Sequence, residues 1–177
     1  MQPNRIQINR APVLTLWAAV VAERLGFERD EALSLGKAVA GLTAQIKGRN
    51  LGLFTPTPEH IRKERQEKRG EEFCIDLCNR AIPVIHTSGG VRALTKGAPI
   101  EPATVERYLR SKFGDSLDRI REAMQTLARS FTAQELAQTA FGLYEQFRPE
   151  IPEGVAGWGA KGELDLERVR SLGSQAA

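Results

Sequence analysis

The sequence predicts a single, mainly α-helical domain with one short β-hairpin at about residues 82–96. Apolar residues recur at the helical spacings of three and four over most of the 177 residues. Two short runs rich in β-branched residues flank a Gly-Gly pair, which is the pattern of a hairpin. With 41% hydrophobic and 27% charged residues, the composition is typical of a globular domain that is large enough to bury its own core.

The N-terminal sub-region, residues 1–56, is predicted to form a helical hairpin. Apolar positions between Ala11 and Leu25 lie on one face of a first helix, and Gly26 provides its C-terminal end. Asp30 is suited to cap a second helix that runs to about Ile46. This second helix is rich in small residues, which let another backbone approach closely. They are Gly36, Ala38, Ala40, Gly41 and Ala44.

The second sub-region, residues 57–150, is predicted to begin with a charged helix over residues 58–70, whose helical pattern continues through residues 73–77. The hairpin follows, with its Gly-Gly pair, residues 89–90, at the turn. Pro83 has no backbone N–H and therefore predicts an edge strand.

Two of the three helices that follow the hairpin are marked by proline, glycine and polar caps. The first begins at Pro102 and ends near Phe113. The second runs from a cap at Asp115 or Ser116 to about Ser130.

The third helix is marked by a capping box. Thr132 and Glu135 form the box, and the helix ends before Pro149.

The last sub-region, residues 151–177, is predicted as a glycine-rich loop followed by a charged helix over residues 164–172. The apolar stripes of all these helices predict a core of Leu14, Trp17, Val21, Leu25, Leu33, Leu35, Val39, Leu42, Leu117, Ile120, Met124, Leu136 and Leu143.

The number of cysteines and the length of the apolar runs limit which classes of protein are possible. Cys74 and Cys78 are the two cysteines, too few for a secreted disulfide scaffold, so we expect a reducing, cytoplasmic location. The longest apolar run, Ala11–Ala22, is shorter than the roughly 20 residues that span a bilayer, so we expect no membrane association.

Few residues suggest catalysis or metal binding. His60 and His86 have no nucleophile and carboxylate beside them in the sequence, so we expect no enzymatic activity. Cys74 and Cys78 share a predicted helical face and could join His86 on a metal, but zinc sites usually have tighter cysteine spacing. We therefore expect no metal, no cofactor and no disulfide.

Basic residues are concentrated in the middle of the chain. Residues 37–112 carry 14 basic and 8 acidic side chains, whereas residues 113–177 carry 7 and 10. Such an excess is typical of a phosphate-binding surface, although a solvated helix whose bases pair with Glu59, Glu64 and Glu67 would look the same. The predicted nucleic-acid-binding residues are Lys37, Lys47, Arg49, Arg62, Lys63, Arg65, Lys68, Arg69, Arg92 and Lys96.

Residues 18–46 resemble the helix-turn-helix of DNA-binding proteins. Small residues at the first helix and turn and an apolar residue on the second helix carry the resemblance. The matching positions are Val21, Ala22, Leu25, Gly26, Phe27 and Leu35. The resemblance implies that the second helix enters the major groove. It would present Glu31, Ser34, Lys37 and Gln45 there.

The hairpin that follows these helices is similar to the wing of a winged-helix protein, with Arg92 and Lys96 as its phosphate contacts. We therefore expect a non-enzymatic nucleic-acid-binding or regulatory protein that contacts the backbone of DNA or RNA with little sequence preference. The alternative is a protein-interaction or homo-oligomerisation module, for example a homodimer that packs through the small residues of the second helix. An enzyme with an unrecognised site is the third alternative.

Overall fold

The computed structural model of the chain describes residues 5–50, 72–149 and 161–175. Its elements are β1 (Arg5–Asn9), α1 (Arg10–Arg24), α2 (Arg29–Asn50), β2 (Glu72–Leu77), β3 (Arg80–Thr87), β4 (Gly90–Thr95), β5 (Ala98–Pro99), α3 (Pro102–Phe113), α4 (Leu117–Arg129), α5 (Ala133–Phe147), β6 (Lys161–Asp165) and α6 (Leu166–Gln175). The predicted charged helix over residues 58–70 lies outside the described residues. None of the described helices is long and apolar enough to cross a membrane.

The mainly helical character of the fold is confirmed, but the prediction of one short hairpin is wrong. The described strands form two antiparallel sheets, one with the order β2-β3-β4-β5 and one that pairs β1 with β6. The predicted hairpin is the β3–β4 part of the larger sheet, and its turn, residues 88–89, lies one residue before the predicted turn. β1 and β6 lie near opposite ends of the chain, so their pairing, with Ile8 opposite Gly162, leaves no local signal in the sequence.

Two-residue turns with positive φ connect strands of the larger sheet. Cys78 and Asn79 form the β2–β3 turn with φ values of 48° and 62°, and Lys96 and Gly97 form the β4–β5 turn with 49° and 86°. Positive φ at both residues is the type I′ geometry that matches the twist of the flanking strands. The helical interpretation of residues 73–77 is therefore wrong, because this segment is strand β2. The two cysteines do not share a helix.

Pro83 lies in an inner strand, β3, and not at the predicted edge. In a two-residue hairpin the closing pair, Leu77 with Arg80, is hydrogen-bonded, and bonded pairs then alternate with non-bonded pairs. Pro83, opposite Cys74, falls at a non-bonded pair. On its other side the β3–β4 ladder begins one residue later, at Val84. The missing N–H of Pro83 therefore costs no hydrogen bond to β2, and the ladder to β4 ends before Pro83.

Helix α1 lies at the centre of the helical part, because every residue from Pro12 to Ala22 is buried. α2 crosses it at Gly36, where an added Cβ would overlap the carbonyl oxygen of Thr15 and lie 2.9 Å from the backbone nitrogen of Ala19. The close approach that the small residues of α2 predict is thus made by α1.

The C-terminal helices keep close to their predicted bounds. α3 begins at Pro102, and both hydrogen bonds of the predicted capping box are present at the start of α5. At α4 the cap position is Ser116, but its side chain makes no cap hydrogen bond because a 3₁₀ turn leads into the helix. The predicted core residues are buried, except Leu25 and Leu42, which are partly buried.

Two buried polar contacts join the helices. Nε1 of Trp17 donates a hydrogen bond to the carbonyl of Ala140 at 2.9 Å, which joins α1 to α5. The guanidinium of Arg121 forms a bidentate ion pair with Glu106 at 2.8 and 3.2 Å, which joins α4 to α3. Since Arg121 is 8% exposed, its charge depends on Glu106 for compensation.

Candidate nucleic-acid interface

Helix α2 is joined to strand β4 by two side chains. The carboxylate of Glu31 accepts a hydrogen bond from the N–H of Val91 at 2.9 Å. The hydroxyl of Ser34 accepts one from the N–H of Ala93 at 3.0 Å. Both N–H groups point away from β3, because these strand residues occupy non-bonded positions of the β3–β4 ladder, and β5 pairs only with residues 94–95. α2 therefore supplies acceptors that a longer neighbouring strand would otherwise supply.

Glu31 also stabilises the start of α2. The helix begins one residue before Asp30, so Asp30 lies in its first turn and not at the predicted cap. The Glu31 carboxylate accepts the backbone N–H of Glu28 at 3.0 Å, as the acidic member of a capping box does. The backbone hydrogen bonds from Val91 and then Glu28 hold the pKa of Glu31 below its ordinary value.

The helix-turn-helix resemblance assigned four side chains of α2 to the major groove. Glu31 and Ser34 are hydrogen-bonded to the sheet instead, and Ser34 is fully buried. Lys37 is half-buried against the ring of Tyr108 on α3. The side chain of Gln45 lies outside the described part of the chain. Base reading by this face of α2 would require contacts within the protein to break.

Lys37, Tyr108 and Lys112 meet where α2 packs on α3 and are called the Lys37 cluster. The ammonium of Lys37 lies 3.8 Å from the centroid of the Tyr108 ring, a cation–π contact. Burial and, secondly, the positive charge of Lys112 lower the pKa of Lys37. Among the described residues, neither lysine forms a salt bridge. Within the described residues, the positive charges of Lys37 and Lys112 therefore have no carboxylate as a salt-bridge partner.

Lys37 is one of three predicted nucleic-acid-binding residues whose side chains the structure describes, together with Arg92 and Lys96. Lys47 and Arg49 lie in the last turns of α2, where the backbone alone is described. The other predicted positions lie outside the described residues and remain predictions. They are Arg62, Lys63, Arg65, Lys68 and Arg69.

Arg92 lies within β4, and Lys96 lies in the turn that follows this strand. The guanidinium of Arg92 donates to the carbonyl of Val91 at 2.9 Å, and its charge contributes to the lowered pKa of Glu31. Arg92 therefore has a carboxylate nearby. Lys96 is exposed in the β4–β5 turn. No contact among the described residues joins either side chain to the Lys37 cluster.

Cys74, Cys78 and His86, which were considered as metal ligands, do not come together as a metal-binding group. Both thiols are free, Cys74 is exposed on β2, and burial raises the pKa of Cys78 to about 12. His86 stacks on Phe73 with ring centroids 4.8 Å apart. Within residues 5–50, 72–149 and 161–175, no group of three His, Cys, Asp or Glu is arranged to hold a metal ion.

Sequence reasoning missed Tyr108 and Lys112. They are one helical turn apart on α3, so they share a face of that helix. This spacing was the available signal, but nothing local in the sequence places that face against Lys37 on α2.

Comparison of the chain with protein-family models, with curated proteins and with solved structures finds no match in any of the three.

Proposed function

We propose that this protein binds nucleic acids through their phosphate backbone, on a surface that includes the Lys37 cluster. One observation carries the proposal. The ammonium of Lys37 lies 3.8 Å from the centroid of the Tyr108 ring, and the exposed Lys112 follows Tyr108 by one helical turn on the same face of α3. The described residues around them provide no salt bridge.

A phosphate group would reverse the electrostatic cost of this arrangement. The charge of Lys112 disfavours the charged form of Lys37, whereas a bound anion would favour it. Lys112 is exposed, and Lys37 is positioned by its contact with Tyr108. The two lysines therefore offer one exposed and one half-buried cation to a phosphate backbone.

Backbone contacts, and not base contacts, fit the chemistry of these residues. A lysine ammonium acts as a point charge on a flexible stem and lacks the planar group by which arginine or asparagine reads a base. Glu31 and Ser34, which could have reached bases, are engaged by β4. We therefore expect similar affinity for unrelated sequences.

Fluorescence anisotropy with labelled random DNA duplexes and single-stranded RNA, measured over a salt series, tests the proposal. The cluster variant carries Lys37→Gln and Lys112→Gln. Its control carries Arg5→Gln and Arg170→Gln, which remove the same charge from exposed positions on β1 and α6. If each lysine contacts one phosphate, the cluster variant lowers the slope of log K against log salt by about 1.8 for duplex DNA.

Two results would refute the proposal. Wild-type protein that does not bind either nucleic acid at about 50 mM salt, where counterion release favours binding strongly, excludes backbone binding. An equal loss of affinity in the control variant shows that net charge acts and the Lys37 cluster does not. A protein that binds neither nucleic acid and has the mass of a homodimer in solution would support the interaction-module alternative.

A further inference from the structure

A surface cavity of about 240 Å³ lies between α1 and α4, on helices other than those of the Lys37 cluster. Its volume is below the roughly 300–1,000 Å³ of sites for drug-sized ligands, so it suits a smaller metabolite. The lining residues are Val20, Glu23, Arg24, Gln125, Ala128 and Arg129.

Two arginines from different helices line this cavity. Arg24 lies in the last turn of α1 and Arg129 in the last turn of α4, where the helix dipole favours a cation. The dipole explains why either helix ends in a base. It does not explain why both arginines line one cavity. Guanidinium pairs are well suited to bind carboxylates.

The guanidinium of Arg24 is held in place but incompletely hydrogen-bonded. Its Nη2 donates to the carbonyl of Phe131 at 2.8 Å, whereas its buried Nε has no hydrogen-bond partner in the described part of the protein. The Nε is buried, so a carboxylate in the cavity would pair with the charge of this guanidinium without contacting Nε. Arg129 makes a long contact of 3.4 Å with the Thr126 hydroxyl, which leaves most of its donors available.

Glu23 contributes a negative charge to the same cavity. Its carboxylate lies 3.9 Å from Nε of Arg29, in a loose and partly exposed ion pair that is easily exchanged for another cation. Val20 and Ala128 are buried and give the cavity an apolar part, and Gln125 adds an amide. The lining therefore combines two cations, one anion and a small apolar surface.

We infer that the cavity binds an acidic α-amino acid of about the size of aspartate. The two carboxylates of such a ligand match Arg24 and Arg129, and its ammonium group matches Glu23. Its methylene group contacts Val20 and Ala128. The ligand carries one net negative charge and the three ionised side chains carry one net positive charge, so the complex is neutral. This inference is independent of the proposed nucleic-acid binding.

An NMR titration of the isotope-labelled chain with L-aspartate tests the inference. Succinate lacks only the ammonium group, and L-asparagine replaces the side-chain carboxylate by an amide, so each removes one matched charge. We expect L-aspartate to shift the backbone amide resonances of residues 20–24 and 125–129. Each comparator is expected to bind about tenfold more weakly, the usual scale for the loss of one charged contact.

Variants assign the contacts. Arg129→Gln is expected to weaken aspartate binding about tenfold, and Glu23→Gln to weaken aspartate but not succinate binding. Arg107→Gln, an exposed position on α3, serves as the control and leaves the affinity unchanged. Equal affinities for aspartate and succinate would overturn the assignment of an amino acid. Unchanged affinity in Arg129→Gln, or no resonance shifts at millimolar aspartate, would overturn the site itself.

Discussion

Replacement of Gly36 by alanine tests the closest approach in the fold, the crossing of α1 and α2. The added methyl group would overlap the carbonyl oxygen of Thr15 and lie 2.9 Å from the nitrogen of Ala19. Both atoms belong to the backbone of a buried helix, so neither can move as the end of a flexible side chain could. An ordinary contact of about 3.5 Å or more requires the two helices to separate.

Two opposing effects set the size of the change. Alanine is favoured over glycine in a helix interior by about 1 kcal/mol, which would stabilise the variant. Overpacking of a close-packed interior costs about 1–3 kcal/mol and occasionally more. The upper part of that range applies at Gly36, because α1 is buried along most of its length. We expect Gly36→Ala to lower the free energy of unfolding by about 1–2 kcal/mol.

Gly41 is the matched control, since it lies on the same helix and an added Cβ would have no heavy atom within 4 Å. Gly41→Ala is expected to raise the free energy of unfolding by about 0.5–1 kcal/mol. Urea denaturation followed by circular dichroism measures both changes, provided that the slope with denaturant stays constant. If Gly36→Ala is as stable as wild type or more stable, the helices do not approach as closely as described and the reasoning fails.

Three further predictions concern titratable groups. Because hydrogen bonds lower the pKa of Glu31, its ionised form stabilises the fold above the ordinary carboxyl value of 4.5, and this contribution is lost as pH falls through the lower folded-state pKa. The stability gap between wild type and Glu31→Gln, measured by urea denaturation, should therefore be widest near neutral pH and close in acid. A thiol reagent at pH 8 should modify the exposed Cys74 quickly. It should modify Cys78, whose pKa is raised to about 12, only when the protein unfolds. Equal rates of modification would contradict the burial of Cys78. Glu106→Leu should cost about 3 kcal/mol of stability by leaving the buried Arg121 without its carboxylate, and adding Arg121→Met should recover part of that loss in a double-mutant cycle.

The helices of the C-terminal half could be predicted because their signals are local. Pro102 begins α3 and the capping box begins α5, each through contacts within four residues. Strand β2 could not be predicted in the same way. Phe73 and Leu77 have the spacing of one helical turn as well as that of a strand face, and the turn that follows contains no glycine. The apolar spacing of this segment thus fits both a helix and a strand, and only its pairing with β3 decides between the two.

The candidate site was predictable only in part, for a similar reason. Lys37 is conspicuous because it is the one charged residue between Glu31 and Lys47. Its neighbours Tyr108 and Lys112 come from a helix that follows the whole four-stranded sheet, so their meeting depends on tertiary packing. The cavity between α1 and α4 was missed because each of its arginines is explained locally by the helix dipole.

The polar residues of α2 explain where a binding surface can and cannot lie. Glu31 and Ser34 are three residues apart, a spacing that suits a groove-reading helix face and equally suits two N–H groups two residues apart on a strand. Because the N–H groups of Val91 and Ala93 lack strand partners, they need these acceptors, and unpaired buried donors would be costly. The face of α2 toward β4 is therefore committed to the fold. Lys37, rotated by about 120° around the helix from Glu31, lies on the side that meets α3, and there the helix can present charge to a ligand without detaching the sheet.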